Sequence, residues 1–206
     1  MSLTPEEIEK NWKKFEDLCS KLGDRTPAVK ELLSEMDERL ATCPASARTE
    51  YHGAFPGGLV DHSLRVLARL LAINTAYGWK LSKQSMILAA LFHDVGKVGL
   101  PGKDRNLDFY IEQTDDWKRK RGEVYAYNND LQYLTTPDRS VFIMQHYGIR
   151  LTADEWLAIR CNDGFVWEPN KAYCLKVSPL VYGLMTADYV ATMDEKGSNV
   201  WPAEKP

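Results

Sequence analysis

The stretch Leu91-Phe92-His93-Asp94-Val95-Gly96-Lys97 constrains the fold of this chain more than any other. A histidine and a carboxylate stand side by side at the end of the apolar run Met86 to Phe92. Neighbouring residues on a helix point about 100° apart, so amphipathic patterning does not account for the pair. Burying both beside Leu91 and Phe92 is costly unless something partners them, and a divalent cation suits imidazole and carboxylate together. His93 and Asp94 are therefore candidate metal ligands, carried on a segment that has to pack.

Around this stretch the sequence reads as a succession of helices. Thr4-Pro5-Glu6-Glu7 combines an N-cap, a proline at the first helical position and acids facing the dipole, and Ile8, Trp12, Phe15, Leu18 and Cys19 follow at helical spacing. Thr26-Pro27 predicts a second start of the same kind, with Val29, Leu32, Leu33, Met36 and Leu40 on one face. Packing is the expected role of both. Tyr51 to Leu59 holds three glycines and a proline, which permit a tight backbone path. A helix from Val60 to about Tyr77 carries Asp61 and His62 in its first turn, and Ser82 caps the next, which runs to His93. Two consecutive helices thus bring His62 and the His93-Asp94 pair within reach of each other.

From Gly99 to Pro137 periodicity is lost and charged and aromatic residues dominate. Long irregular segments inside a domain are usually functional or mobile, so a substrate-side lid with short helical pieces is expected here. Pro137 and Asp138 open a helix that ends at Gly148, Thr152 with Glu155 forms a capping box, and Pro179 begins a last helix carrying Asp188 among apolar neighbours. The chain beyond Glu195 is expected to fray. With no convincing strand and no repeat, the fold class is all-α.

Composition narrows the function. The 206 residues, 44% hydrophobic and 27% charged, suit one domain with a sizeable core rather than a disordered chain. A net charge of -3 gives no overall case for a nucleic-acid or membrane surface, so any polyanion contact must come from a local patch. Cys19, Cys43, Cys161 and Cys174 lack CxxC spacing, no signal peptide precedes them, and no apolar run approaches the roughly 20 residues that span a bilayer. A cytoplasmic protein with reduced thiols and no membrane partner is expected.

His62, the His93-Asp94 pair and Asp188 form a separated H…HD…D series. With the lead-in Gly-Gly-Leu-Val-Asp-His-Ser and the core His-Asp-Val-Gly-Lys, it resembles the HD-domain superfamily of metal-dependent phosphohydrolases. The resemblance covers roughly residues 50 to 194, and the run from Glu123 to Asp163 is similar to small HD proteins of bacteriophages and bacteria, which implies a cytoplasmic protein, in the host cytoplasm if phage-encoded. It implies a helical bundle with residues 1–49 as an N-terminal helical extension packed on the core, and an HD phosphohydrolase domain over 50–206 interrupted by an irregular insertion at about 99–137.

The resemblance also implies roles. His62, His93, Asp94 and Asp188 would hold one divalent ion (Mn, Fe, Co, Ni, Zn or Mg), leaving positions for water and a phosphate oxygen. Asp94 would also orient the attacking water. Lys97 would reach a phosphate oxygen or leaving group; its bland alternative is a helix-dipole partner. The expected substrate is a nucleotide or other small phosphate ester. The alternatives are a phosphodiesterase or 3′-5′ exonuclease acting on single-stranded nucleic acid, and a non-catalytic module binding metal and nucleotide. Relatives of the phage type lead one to expect His-Asp-Gly where this chain reads Asn162-Asp163-Gly164, and asparagine is a poor metal ligand, so one ion per chain is expected rather than two. Substrate contacts are sought among His52, Arg65, His146, Asp163 and Arg121. His52 either meets phosphate or closes its loop, His146 is a candidate extra ligand, and Arg65 stands one turn from His62. The Lys118 to Arg121 run is either a solvated face or, with Trp117 and Tyr125, a phosphate clamp with base stacking.

Overall fold

The computed structural model describes residues 2–166 and 168–196. Eight α-helices occur among them: α1 (Pro5–Cys19), α2 (Thr26–Thr42), α3 (Gly58–Ala76), α4 (Lys83–Phe92), α5 (Asp116–Lys120), α6 (Thr136–His146), α7 (Ala153–Arg160) and α8 (Pro179–Glu195). The all-α expectation holds, with one correction. The segment expected to hold only short helical pieces also contains an antiparallel hairpin, β1 (Tyr110–Glu112) against β2 (Tyr125–Tyr127), in the register Tyr110 to Tyr127. Three-residue strands rich in tyrosine are too short for a period-two pattern to stand out, which is why the sequence did not reveal them.

Helix starts follow from local chemistry. Thr4 and Glu7 form the expected capping box on α1, and Thr152 and Glu155 form one on α7. Ser82 Oγ accepts the Ser85 N–H at the start of α4. Thr26 is not the cap of α2, however: Arg25 occupies that position without a side-chain bond, because a 3-10 turn over Gly23–Arg25 leads straight into the helix. Pro137 and Asp138 stand in the first turn of α6 as expected, and Thr135 caps it by accepting the Asp138 N–H.

The core lies between α3, α4 and α8, with α1 and α2 packed on α3 and α4, and α6 and α7 closing the other side. Phe15 of α1 meets Phe92 of α4 edge to face at 5.7 Å, and Leu22, Leu32, Met36, Val66, Leu70, Leu88 and Leu184 are buried in the same cluster. Full burial of side chains of this size stabilises by roughly 1.5–3 kcal/mol each. The first two helices do more than pack. Arg39 of α2 is buried, donates to Asp108 at 2.6 Å and to the carbonyls of Val98, Leu100 and Gly102, and so ties α2 to the chain that follows the His-Asp pair.

Candidate metal centre

His93 is the C-cap of α4, its backbone N–H still bonded to Ala89 O. Its ring Nδ1 lies 2.9 Å from Ala90 O, and since a carbonyl only accepts, Nδ1 carries a proton. Nε2 is the nitrogen left for another partner. It is buried and has no hydrogen-bond partner, with Asp94 Oδ2 3.4 Å away. Asp94 leaves the helix at φ -109°, and the chain turns into a 3-10 turn over Val95–Lys97. This break in helical geometry lets two consecutive side chains serve one site, where a continuous helix would splay them apart. The turn also brings Lys97 Nζ to 2.6 Å from Asp94 Oδ2.

Helix α6 holds the turn in place. Ser140 Oγ donates to His93 O at 2.8 Å and accepts the Gly96 N–H at 2.9 Å, while Arg139 donates to Gly96 O at 2.9 Å. Gly96 is required by closeness: a Cβ there would sit 2.3 Å from Thr136 O and 2.8 Å from Ser140 N.

His62 enters from the second turn of α3 and is fully buried. Its ring centroid lies 5.5 Å from that of His93 and 4.3 Å from that of His52. Helix α8 flanks it: Asp188 Oδ1 is 3.0 Å from Nε2, and Glu195 Oε1 is 2.9 Å from Nδ1. Asn162 Nδ2 donates to Asp188 Oδ2 at 2.9 Å. Among the described residues, two groups could hold a metal ion, His62 with His93 and Asp94, and His52 with His62 and Glu195.

Charge follows from this packing. Burial works against the Asp94 carboxylate, but Lys97 and His93 outweigh it and hold Asp94 well below the usual carboxylate range. Burial likewise works against the Lys97 ammonium, and Asp94 more than offsets it, so Lys97 stays above its ordinary value and charged. Asp188 is lowered in spite of burial by its bond to His62. His62 is raised to about 9, the bonds to Asp188 and Glu195 overcoming desolvation. His52 goes the other way: burial first, then His62 and Lys97, push it down to about 3, so it is neutral. Two buried imidazole nitrogens facing two ionised carboxylates make a donor set suited to a divalent ion.

The model of the HD domain family matches residues 59–193, a span that holds His62, His93, Asp94 and Asp188. The chain belongs to the HD domain family. This makes the protein a member of a superfamily of metal-dependent hydrolases that bind divalent metals. Searches of curated proteins and of solved structures returned no match. Among the described residues, no helix of this HD protein is long and apolar enough to cross a membrane.

The remaining sequence candidates fall into three places. His52 stands against His62, and with Arg65 and Glu195 it lines a cleft of about 850 Å³; Arg65 is paired there with Asp61 at 2.8 Å. Asp163 is exposed, yet partial withdrawal from water and the neighbouring Asp94 and Asp188 charges push its carboxyl up. His146 and Arg121 are not in either metal-capable group. His146 is exposed at the end of α6, its ring packed on Tyr147 and Phe142, and Arg121 is exposed with its guanidinium 4.5 Å from the Trp117 ring.

Sequence reasoning missed Glu195 and the support given by Asn162, Arg139 and Ser140. Glu195 did carry a signal. It lies seven residues after Asp188, two helical turns on and therefore on the same face.

Proposed function

We propose that this HD protein is a metal-dependent phosphohydrolase that hydrolyses a nucleotide or another small phosphate ester, with His62, His93, Asp94 and Asp188 holding one divalent ion. The observation that carries this reading is a pair of buried Nε2 atoms: that of His93, which has no hydrogen-bond partner and lies 3.4 Å from Asp94, and that of His62, which faces the Asp188 carboxylate at 3.0 Å. An unpartnered buried nitrogen is costly in a folded protein, and a cation at His93 Nε2 would remove that cost. A divalent ion bound there acts as a Lewis acid on a phosphoryl oxygen and lowers the pKa of the water that attacks phosphorus.

The chain's own groups divide the remaining work. Asp94, held ionised, accepts a hydrogen bond from the attacking water and keeps its lone pair toward phosphorus. Lys97 stays protonated through neutral pH, so it serves as a fixed positive charge for a phosphoryl oxygen or the leaving group rather than as a proton donor. His52 is neutral with a buried Nε2 that lacks a partner, which suits hydrogen bonding to phosphate. Asp163, its carboxyl raised, and Arg65 border the same region as further substrate contacts.

The test is phosphate or pyrophosphate release from a panel of nucleoside mono- and triphosphates by metal-stripped protein, with Mn²⁺, Co²⁺, Ni²⁺ or Mg²⁺ added back. Metal-dependent release that disappears in Asp94→Ala is the expected result. Release that is indifferent to metal, or that survives Asp94→Ala, refutes the proposal.

A further inference from the structure

The ring of His62 is gripped from both sides by one helix. On the Nε2 side stands Asp188 at 3.0 Å, and on the Nδ1 side stands Glu195 at 2.9 Å, the last residue of α8. The His62 side chain is 0% exposed and that of Glu195 only 8%, so the bond is shielded from water and from competing partners. His93 solves the same problem locally, anchoring Nδ1 on the carbonyl of Ala90 in its own helix. His62 instead takes its anchor from a residue 133 positions away.

We infer that Glu195 is a positioning residue of the metal centre: its carboxylate accepts the His62 Nδ1–H and thereby aims Nε2 at the space shared with His93, Asp94 and Asp188. The inference rests on the metal-centre reading proposed above and adds to it a residue outside the H…HD…D series. An imidazole that donates from one nitrogen to a carboxylate is fixed in ring orientation and tautomer and becomes a better ligand through the other; loss of such a partner typically weakens metal binding by about 10–100-fold. The arrangement places the final turn of α8 beside the working centre, with Glu195 outside the group formed by His62, His93 and Asp94. Glu195 Oε1 is engaged by Nδ1, which is the bond a positioning residue makes, while Oε2 is buried without a partner, so direct ligation in the His52, His62 and Glu195 group is the competing outcome the experiment separates.

The experiment measures Zn²⁺ affinity of the full chain by competition with a chromophoric chelator, for wild type, Glu195→Ala, Glu195→Gln and, as reference, His62→Ala. It is paired with ¹⁵N spectra of the Zn²⁺-loaded histidines. Glu195→Ala is expected to weaken binding about 10–100-fold, while Glu195→Gln, whose amide oxygen still accepts from Nδ1–H, is expected to lose under about tenfold. Wild-type His62 is expected to coordinate through Nε2 with its proton on Nδ1. Unchanged affinity in Glu195→Ala overturns the proposal. So does a Glu195→Gln loss as large as that of Glu195→Ala, which indicates direct ligation, or coordination of His62 through Nδ1. Should Glu195→Ala fail to fold, Glu195→Gln and the nitrogen assignment decide between these outcomes. A folded wild type that binds no ion refutes the metal centre itself, a result separate from any difference between the variants.

Discussion

Replacing Ser140 by alanine isolates what α6 does for the His-Asp turn. Ser140 is 0% exposed, and its hydroxyl satisfies two backbone groups, donating to His93 O and accepting the Gly96 N–H. Alanine removes one oxygen, so the cavity left behind is negligible and the cost is that of two buried polar groups without partners. Each such group costs about 1–3 kcal/mol, giving roughly 2–5 kcal/mol for the pair after some relaxation. For a chain of this size each kcal/mol corresponds to about 2–4 °C in Tm, so a fall of roughly 5–15 °C is expected in metal-free protein. Urea denaturation at neutral pH should show a lower midpoint with an unchanged slope, since the surface exposed on unfolding does not change. The same variant should bind Zn²⁺ more weakly, because the carbonyl freed is that of His93. A stability loss below about 0.5 kcal/mol, which is what a surface substitution gives, would refute the claim that this hydroxyl holds the turn.

Further expectations follow from the same packing. Gly96→Ala places a methyl against Thr136 O and Ser140 N, which the fold accommodates only by displacing the turn; a cost of about 1–3 kcal/mol and weaker metal binding are expected by thermal melts and metal titration, and a neutral effect would count against the close approach. Burial works against the Glu155 carboxylate, but bonds from Arg25 at 2.8 Å and from the Thr152 N–H leave it below its ordinary value. A lowered folded pKa contributes stability above the unfolded value of about 4.3 and loses it as pH falls through the folded one, so wild type should shed more stability between about pH 5 and pH 3 than Glu155→Gln. Equal pH profiles in urea melts would show that the pair contributes nothing. Cys19, Cys43 and Cys161 are buried and Cys174 is exposed, so a thiol reagent should titrate one cysteine in the native state and four after unfolding. Rapid reaction of a second thiol in folded protein would contradict the packing around the core.

Much of this protein was legible in its sequence, and the reason is local. Capping by Thr4, Ser82 and Thr152, and apolar residues at helical spacing, are written within a few positions of each other and do not depend on distant parts of the chain. The His93-Asp94 pair was legible because consecutive histidine and aspartate at the end of an apolar run have no ordinary packing explanation, and the resemblance to the HD-domain superfamily extended it to His62 and Asp188. The short hairpin and the true caps of α2 and α6 were not, since each depends on one or two residues whose neighbours compete for the same role.

By itself, then, the sequence determined the helical class, the helix starts that have strong caps, and a set of candidate ion ligands. Tertiary structure alone decided how that set is held. Ser140 and Arg139 meet the His-Asp turn across more than 40 positions, Asn162 reaches Asp188, Arg39 ties α2 to the segment after the turn, and Glu195 reaches His62 from the far end of the domain. Nothing local marks these partners, because a buried hydrogen bond is specified by two groups being in the same place, and that place exists only once the helices have packed.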